Sequence, residues 1–246
     1  MTDRLKIIEL FAGSGTFSRV ARGYGHTSVT VDINAEYDPD ICMNILDVTS
    51  DILNEYDVVW ASPDCTTYSL AACYVHRTPK RLPKTSKAKT ADAVTSHLFN
   101  LLRNFGGIFF VENPRALLRK MPFTQDFARY RQTITYCKYG DLAMKPTDIW
   151  TNSGWIGRPV CRNGSPCHQS APRGSKTGTQ GKYATWWRKG DCTLKRSSAH
   201  ERAKLPVELC EDIIQYLGSA DLSRVRNFAA GRPFQYMLTG VWGGVA

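Results

Sequence analysis

The stretch Lys6 to Gly23, KIIELFAGSGTFSRVARG, restricts the fold of this chain more than any other. An apolar strand, Lys6 to Phe11, runs directly into the turn Gly13-Ser14-Gly15, and a helical pattern from Thr16 to Gly23 follows. A helix entered through so short a turn returns the chain along the strand, so the next strand lies parallel to the first. That next strand reads as Thr27 to Ile33, with further strands at Tyr56 to Ala61 and Gly107 to Val111. Between the last two, Thr90 to Phe105 carries Val94, Leu98, Leu101 and Leu102 at helical spacing. Alternation of this kind predicts an α/β fold, Rossmann-like, with a mostly parallel sheet.

Composition changes after Trp150. Residues 154 to 198 are rich in Gly, Ser, Pro and basic side chains, and Arg158 to Lys204 holds eleven Lys or Arg against two acids. Helical pattern resumes in LPVELCEDIIQYLG, where Pro206 suits the first turn and Gly218 the C-terminal cap. Three parts are expected: a catalytic region at 1–152, a small basic recognition region at 153–198, and a C-terminal segment at 199–246 that returns to the first. The net charge of +10 favours a polyanionic partner. With no membrane-length apolar run and no secretory signal at MTDRLKIIELF, a cytoplasmic location and reduced cysteines are expected, in a bacterial or phage-infected cell.

The glycine turn suits close approach of a ligand to backbone, beside the free N–H groups of a helix start. Asp32 falls at the end of the second strand, where a carboxylate can bind ribose hydroxyls, and Asp47 follows on a loop at the same edge. The turn lacks the third glycine of a dinucleotide fingerprint, which favours S-adenosylmethionine as the cofactor. Its expected contacts are Phe11, Ala12, Gly13, Ser14, Gly15, Thr16, Asp32, Ile33, Asp47 and Pro63.

The segment Tyr56 to Ser69, YDVVWASPDCTTYS, leaves a buried strand for a loop at that rim. It presents Cys65, a thiol suited to attack an electron-poor ring. The strand ending Val111-Glu112-Asn113-Pro114-Arg115 brings Glu112 to the same edge, where a carboxyl can protonate a heterocycle nitrogen.

Taken in order, ELFAGSGTFS, Asp32, SPDCTTYS and VENPR resemble the signatures of the cytosine-5 DNA methyltransferases, and ERAKLPVELCEDII is similar to that family's closing helix. The resemblance implies methyl transfer from S-adenosylmethionine to carbon 5 of cytosine in DNA, with Cys65 adding to carbon 6 and Glu112 at the ring nitrogen. Duplex DNA with a flipped-out base is the implied partner, bound by a monomer without membrane association. Implied substrate contacts are Ser69, Asn113, Lys145 and Thr147. Arg77, Lys80 and Arg81 join them from the acid-free basic loop Arg77 to Lys89, and Arg173 and Lys176 from the recognition region. The setting suggests a restriction-modification or phage enzyme.

Two departures stand out. Asp64, directly before Cys65, should raise the thiol pKa unless a cation offsets it, and the help expected comes from Arg115 or from bound DNA and cofactor. The family's Gln-x-Arg-x-Arg stretch is replaced by Lys145-Pro146-Thr147-Asp148, leaving Lys145 and Arg115 as substitutes. Cys161, Cys167, His168 and Cys192 raise a zinc question. The five-residue gap between the first two is wider than a zinc knuckle, so no metal is expected. From sequence alone, modification of RNA or a nucleotide, or a DNA-binding protein that has lost catalysis, also stay open.

Overall fold

The computed structural model of the protein describes residues 4–70, 72–162, 165–168 and 204–219. Strands β1 (Lys6–Leu10), β2 (Thr27–Asp32), β3 (Ile41–Cys42), β4 (Val58–Ala61), β5 (Ile108–Pro114), β6 (Arg131–Thr135) and β7 (Pro146–Thr151) form one sheet in the order β3-β2-β1-β4-β5-β7-β6. Strands β3 to β5 run parallel, whereas β7 is antiparallel to both of its neighbours. This is the expected Rossmann-like α/β architecture. The chain reverses its progress across the sheet between β1 and β4, the place where open parallel sheets bind ligands.

Alternation along the strands divides the core in two. On one face Ile8, Leu10, Val59, Phe109 and Val111 pack beneath α4 (Ser86–Arg103) through Leu98, Phe99 and Leu102. On the other, Ile7, Val58, Trp60, Ile108 and Phe110 meet α1 (Thr16–Gly23) and α5 (Val207–Ser219) through Phe17, Leu209, Ile213 and Leu217. Phe17 stacks on Trp60 with ring centroids 4.3 Å apart, an offset apolar contact that fixes α1 against the sheet. Burying α5 there returns the described C-terminal residues to the first half of the chain. Two short helices, α2 (Ser50–Leu53) and α3 (Cys73–His76), complete the set of α-helices among the described residues.

Helix α4 begins four residues earlier than its apolar pattern indicates, because Thr85 caps it by accepting from the Ala88 N–H at 3.2 Å. Strands β3, β6 and β7 have no counterpart in the sequence reading. The described part of the basic region, 153–162 and 165–168, lies against the catalytic sheet. Trp155 Nε1 donates to Asp212 Oδ2 at 2.9 Å, and the Arg158 N–H donates to the Tyr139 hydroxyl at 2.8 Å. Arg173 and Lys176 fall outside the described residues. Among the described residues no helix is long and apolar enough to cross a membrane.

Candidate active site

Strand register builds the site. Leu10 pairs with Ala61, and Ala61 with Val111, so the chain leaves β1, β4 and β5 at a common rim. Glu112 therefore stands across from Ser62, at the foot of the Cys65 loop.

At the β1 exit the backbone turns through left-handed conformations at Phe11, Gly13 and Gly15. Phe11 adopts φ 56° without being glycine, the kind of local strain that accumulates at functional sites. A Cβ added at Gly13 would meet nothing within 4 Å, so this backbone faces open space. The space is a cleft of about 120 Å³ lined by Phe11, Ala12, Gly13, Ser14 and Thr16, all expected contacts, together with Glu9, Tyr37, Ser62, Lys204 and Leu205. Beneath the turn, buried Glu9 accepts the Ser18 N–H of α1 at 2.7 Å.

Asp32, at the end of β2, makes two backbone contacts. One of its carboxylate oxygens accepts from the Gly13 N–H and the other from the Asn34 N–H, each at 2.9 Å, so it buttresses the glycine turn. Gly15 serves as the helix N-cap. Ile33 is 67% exposed and Asp47 is exposed; neither lines the cleft.

The β4 exit carries Pro63, Asp64 and Cys65. The Asn113 side-chain amide donates to the Pro63 carbonyl at 2.8 Å, which ties β5 to this loop. Asn113 is buried and acts here through the loop backbone. The Cys65 carbonyl accepts from the Tyr68 and Ser69 N–H groups at 3.1 and 2.9 Å, shaping the turn behind the candidate nucleophile.

Asp64 points to its own turn. Its Oδ1 accepts from the Thr66 N–H at 2.8 Å, and Lys87 Nζ approaches its Oδ2 to 3.4 Å. Partial burial pushes its carboxyl up, but the Thr66 hydrogen bonds and Lys87 outweigh that and hold it below the usual carboxylate range.

Cys65 and Glu112 share one field. Desolvation pushes the Cys65 thiol up; Glu112 and Asp64 push it further, and Lys145 opposes them. Burial likewise lifts Glu112 above the carboxylate range, opposed by Lys145 and by hydrogen bonds from Tyr136 and Ser62. The Tyr136 hydroxyl donates to Glu112 Oε1 at 2.8 Å, and Lys145 Nζ sits 4.3 Å from the Tyr136 ring centre, a cation–π contact. Lys145 holds φ 29°, a second left-handed non-glycine residue beside the site. The cation acting on both Cys65 and Glu112 is thus Lys145. Arg115, expected in that role, is exposed, and its N–H donates to the Pro146 carbonyl at 2.9 Å.

Two other expectations are corrected. Arg77 does not reach for phosphate: it is 3% exposed, with its guanidinium on Thr67 and Asp92 and over the Tyr68 ring at 4.4 Å. Thr147 is buried in β7, its hydroxyl donating to the Lys145 carbonyl at 3.1 Å. It supports the residue that carries the cation. Lys80 and Arg81 are exposed, as phosphate contact requires, and one Arg81 guanidinium N–H also holds the Lys120 carbonyl at 3.1 Å.

The sequence reading missed Tyr136, Ser62 and Arg119. Arg119 forms a bidentate pair with buried Asp148 and donates to Thr133, so an arginine does stand behind β7. It reaches there from a segment after β5, and a search after Gly140 could not find it. The hydroxyl-bearing Ser62 next to Pro63 was the one available signal for the Glu112 partners.

No protein-family model matches the chain. Over 172 residues it is 28% identical to a probable DNA (cytosine-5)-methyltransferase of Frog virus 3 (isolate Goorha), a match covering 66% of this chain and 78% of that protein. The ordered motifs, now gathered at one rim, agree with it. Over this stretch the chain is similar to a cytosine-5 methyltransferase. Similar solved structures include the Dnmt2 methyltransferase of S. pombe (12% identity, TM-score 0.42, 63% of this chain and 52% of that one). Others are the Entamoeba histolytica methyltransferase EhMeth (14%, 0.44, 61% and 52%) and a Spodoptera frugiperda DNMT2 mutant (17%, 0.42, 63% and 52%). The chain spans about half the length of these three. The methyl donor of the family is S-adenosylmethionine. The open backbone at Gly13 and the cleft from Glu9 to Thr16 fit such a group, with Phe11, Ala12, Gly13 and Ser14 placed to hold it.

Proposed function

We propose that the chain methylates carbon 5 of cytosine in DNA through a covalent adduct at Cys65. The observation that carries this reading is the placement of Cys65 and Glu112 on adjacent strand ends within the field of one cation, Lys145. When bound, S-adenosylmethionine supplies an electrophilic methyl group at the rim.

Glu112, its pKa raised by burial, donates a proton to the cytosine ring nitrogen, so carbon 6 becomes electrophilic. The Cys65 thiol gives its proton to solvent and the thiolate sulfur adds to carbon 6, leaving carbon 5 electron-rich enough to accept the methyl group. The carbon 5 proton then departs to solvent, the carbon–sulfur bond breaks, and the proton on the ring nitrogen returns to Glu112. Lys145 serves two steps: it stabilises the thiolate before addition and the Glu112 carboxylate after proton donation.

DNA is favoured over a free nucleotide by exposed Lys80, Arg81, Lys84, Lys87 and Lys89, which lead from α3 into α4 beside the Cys65 loop. A small substrate needs no such phosphate track. The viral relative's description also names DNA.

The test measures transfer of labelled methyl from S-adenosylmethionine to duplex DNA and to duplex RNA of the same sequence. Label in DNA cytosine is expected, with loss of at least about a thousandfold in Cys65→Ala. DNA carrying 5-fluorocytosine should trap the wild-type chain covalently, because fluorine cannot leave as the proton does. Full transfer by Cys65→Ala, or label in RNA alone, would overturn the reading.

A further inference from the structure

We infer that Cys137, Cys161, Cys167 and His168 form a structural zinc site that pins the start of the basic region to the catalytic sheet. The four side chains come from two distant segments. Cys137 lies in the 3-10 turn Tyr136–Tyr139 that follows β6, and the other three from 161 to 168. Their donor atoms all lie within 4.8 Å of one another.

The spacings match a metal-centred tetrahedron. Zinc–sulfur bonds of about 2.3 Å and a zinc–nitrogen bond of about 2.0 Å put sulfurs about 3.8 Å apart and sulfur about 3.5 Å from nitrogen. Cys137 Sγ and Cys167 Sγ are 3.8 Å apart, and His168 Nδ1 lies 3.5 Å from both Cys161 Sγ and Cys167 Sγ. The Cys161–Cys167 edge, 3.2 Å, is shorter than the ideal but far longer than the roughly 2.05 Å of a disulfide.

Burial argues the same way. Cys137, Cys161 and His168 are each less than 9% exposed, so three of the four donors are withdrawn from water, while Cys167 closes the cluster from the exposed side. The imidazole turns Nδ1 to the sulfurs, so its lone pair is aimed at the centre of the cluster and its proton belongs on Nε2. Four protein donors leave no open position, which marks a structural rather than a catalytic centre. The Cys161 N–H donates to Thr135 Oγ1 at 2.9 Å, so β6 already holds one ligand segment against the other.

In the sequence Cys161 and Cys167 have no second close cysteine pair, and Cys192 is the further cysteine of that region. The fourth ligand is instead Cys137, brought in by the sheet edge. Its neighbour Tyr136 donates to Glu112, so metal at this point also steadies a partner of the candidate catalytic acid.

Metal analysis of the full-length chain, purified under reducing conditions from zinc-supplemented cells, should find a single equivalent of zinc. Replacement by cobalt(II) should give the intense visible bands of a tetrahedral ion with thiolate-to-cobalt charge transfer. Cys137→Ser and Cys161→Ser should lose stoichiometric metal, while Cys192→Ser keeps it with an unchanged cobalt spectrum. The wild-type spectrum decides the matter even if a ligand variant fails to fold. Absence of both zinc and the charge-transfer bands would overturn the inference. So would a native Cys161–Cys167 disulfide, or metal that survives Cys137→Ser but not Cys192→Ser.

Discussion

The Asn113 side-chain amide donates to the Pro63 carbonyl at 2.8 Å, joining the strand that ends in the candidate acid to the loop that carries the candidate nucleophile. Both residues are buried, so nothing from solvent replaces this bond when it is lost. Asn113→Ala leaves the Pro63 carbonyl without its donor, at a cost of about 1–3 kcal/mol. The expected result is a fall of roughly tenfold or more in kcat with cofactor affinity held within about twofold, because the cleft at Gly13 is untouched. Calorimetric titration of the cofactor beside steady-state rates checks it; an equal loss in both would place Asn113 in the wrong role.

Lys145 predicts a pH signature. Desolvation, Glu112 and Asp64 hold the Cys65 thiol above its ordinary pKa, and Lys145 opposes them. A raised thiol pKa means that the thiolate fraction, and with it kcat/KM, climbs with pH into the alkaline range. Lys145→Met removes the opposing charge, so the rising limb moves to higher pH and the rate at neutrality falls about tenfold for each pKa unit gained. Arg115→Met leaves the limb in place. Rate profiles across pH read the difference.

Arg77 and its neighbours should separate fold from phosphate contact. Arg77→Met leaves Asp92 with the Tyr68 hydroxyl but without its cation, and removes the packing on Tyr68, a loss of about 3 kcal/mol in denaturant unfolding. The salt dependence of DNA binding by the folded variant should not change. Lys80→Gln with Lys89→Gln should leave stability nearly intact and flatten the slope of log affinity against log salt by about 0.9 per lost phosphate contact.

At the glycine turn, Gly13→Ala places a Cβ on a backbone at φ 50°, a strain of about 1–2 kcal/mol, but meets no protein atom. Its larger effect falls on the ligand side of the cleft. Affinity for S-adenosylmethionine should drop by tenfold or more while the thermal midpoint moves by only a few degrees, measured by calorimetry and thermal unfolding.

The parallel half of the sheet was readable because its signals are local: an apolar run, a glycine turn and a helical stripe lie within a few residues. Cys65 and Glu112 could be identified as rim residues for the same reason, since each sits just past a buried strand. Strands β6 and β7 were not readable. Arg131–Thr135 and Pro146–Thr151 are polar or mixed in sequence, and β7 gains its strand character only by pairing between β5 and β6.

By itself the sequence determined the α/β class, and it placed the glycine turn from Phe11 to Thr16 and the candidate residues Cys65 and Glu112 at strand ends. Tertiary structure alone decided which charges act on them. Coulombic and hydrogen-bond effects depend on distances across strands, not on separation along the chain. Thus Asp64 turns to Thr66 and Lys87, Asp32 to the backbone of Gly13, and Arg77 to Asp92, while Lys145 comes to bear on both Cys65 and Glu112. The same logic assembles Cys137 with Cys161, Cys167 and His168: ligands more than twenty residues apart meet because β6 and the segment after β7 share one edge of the sheet.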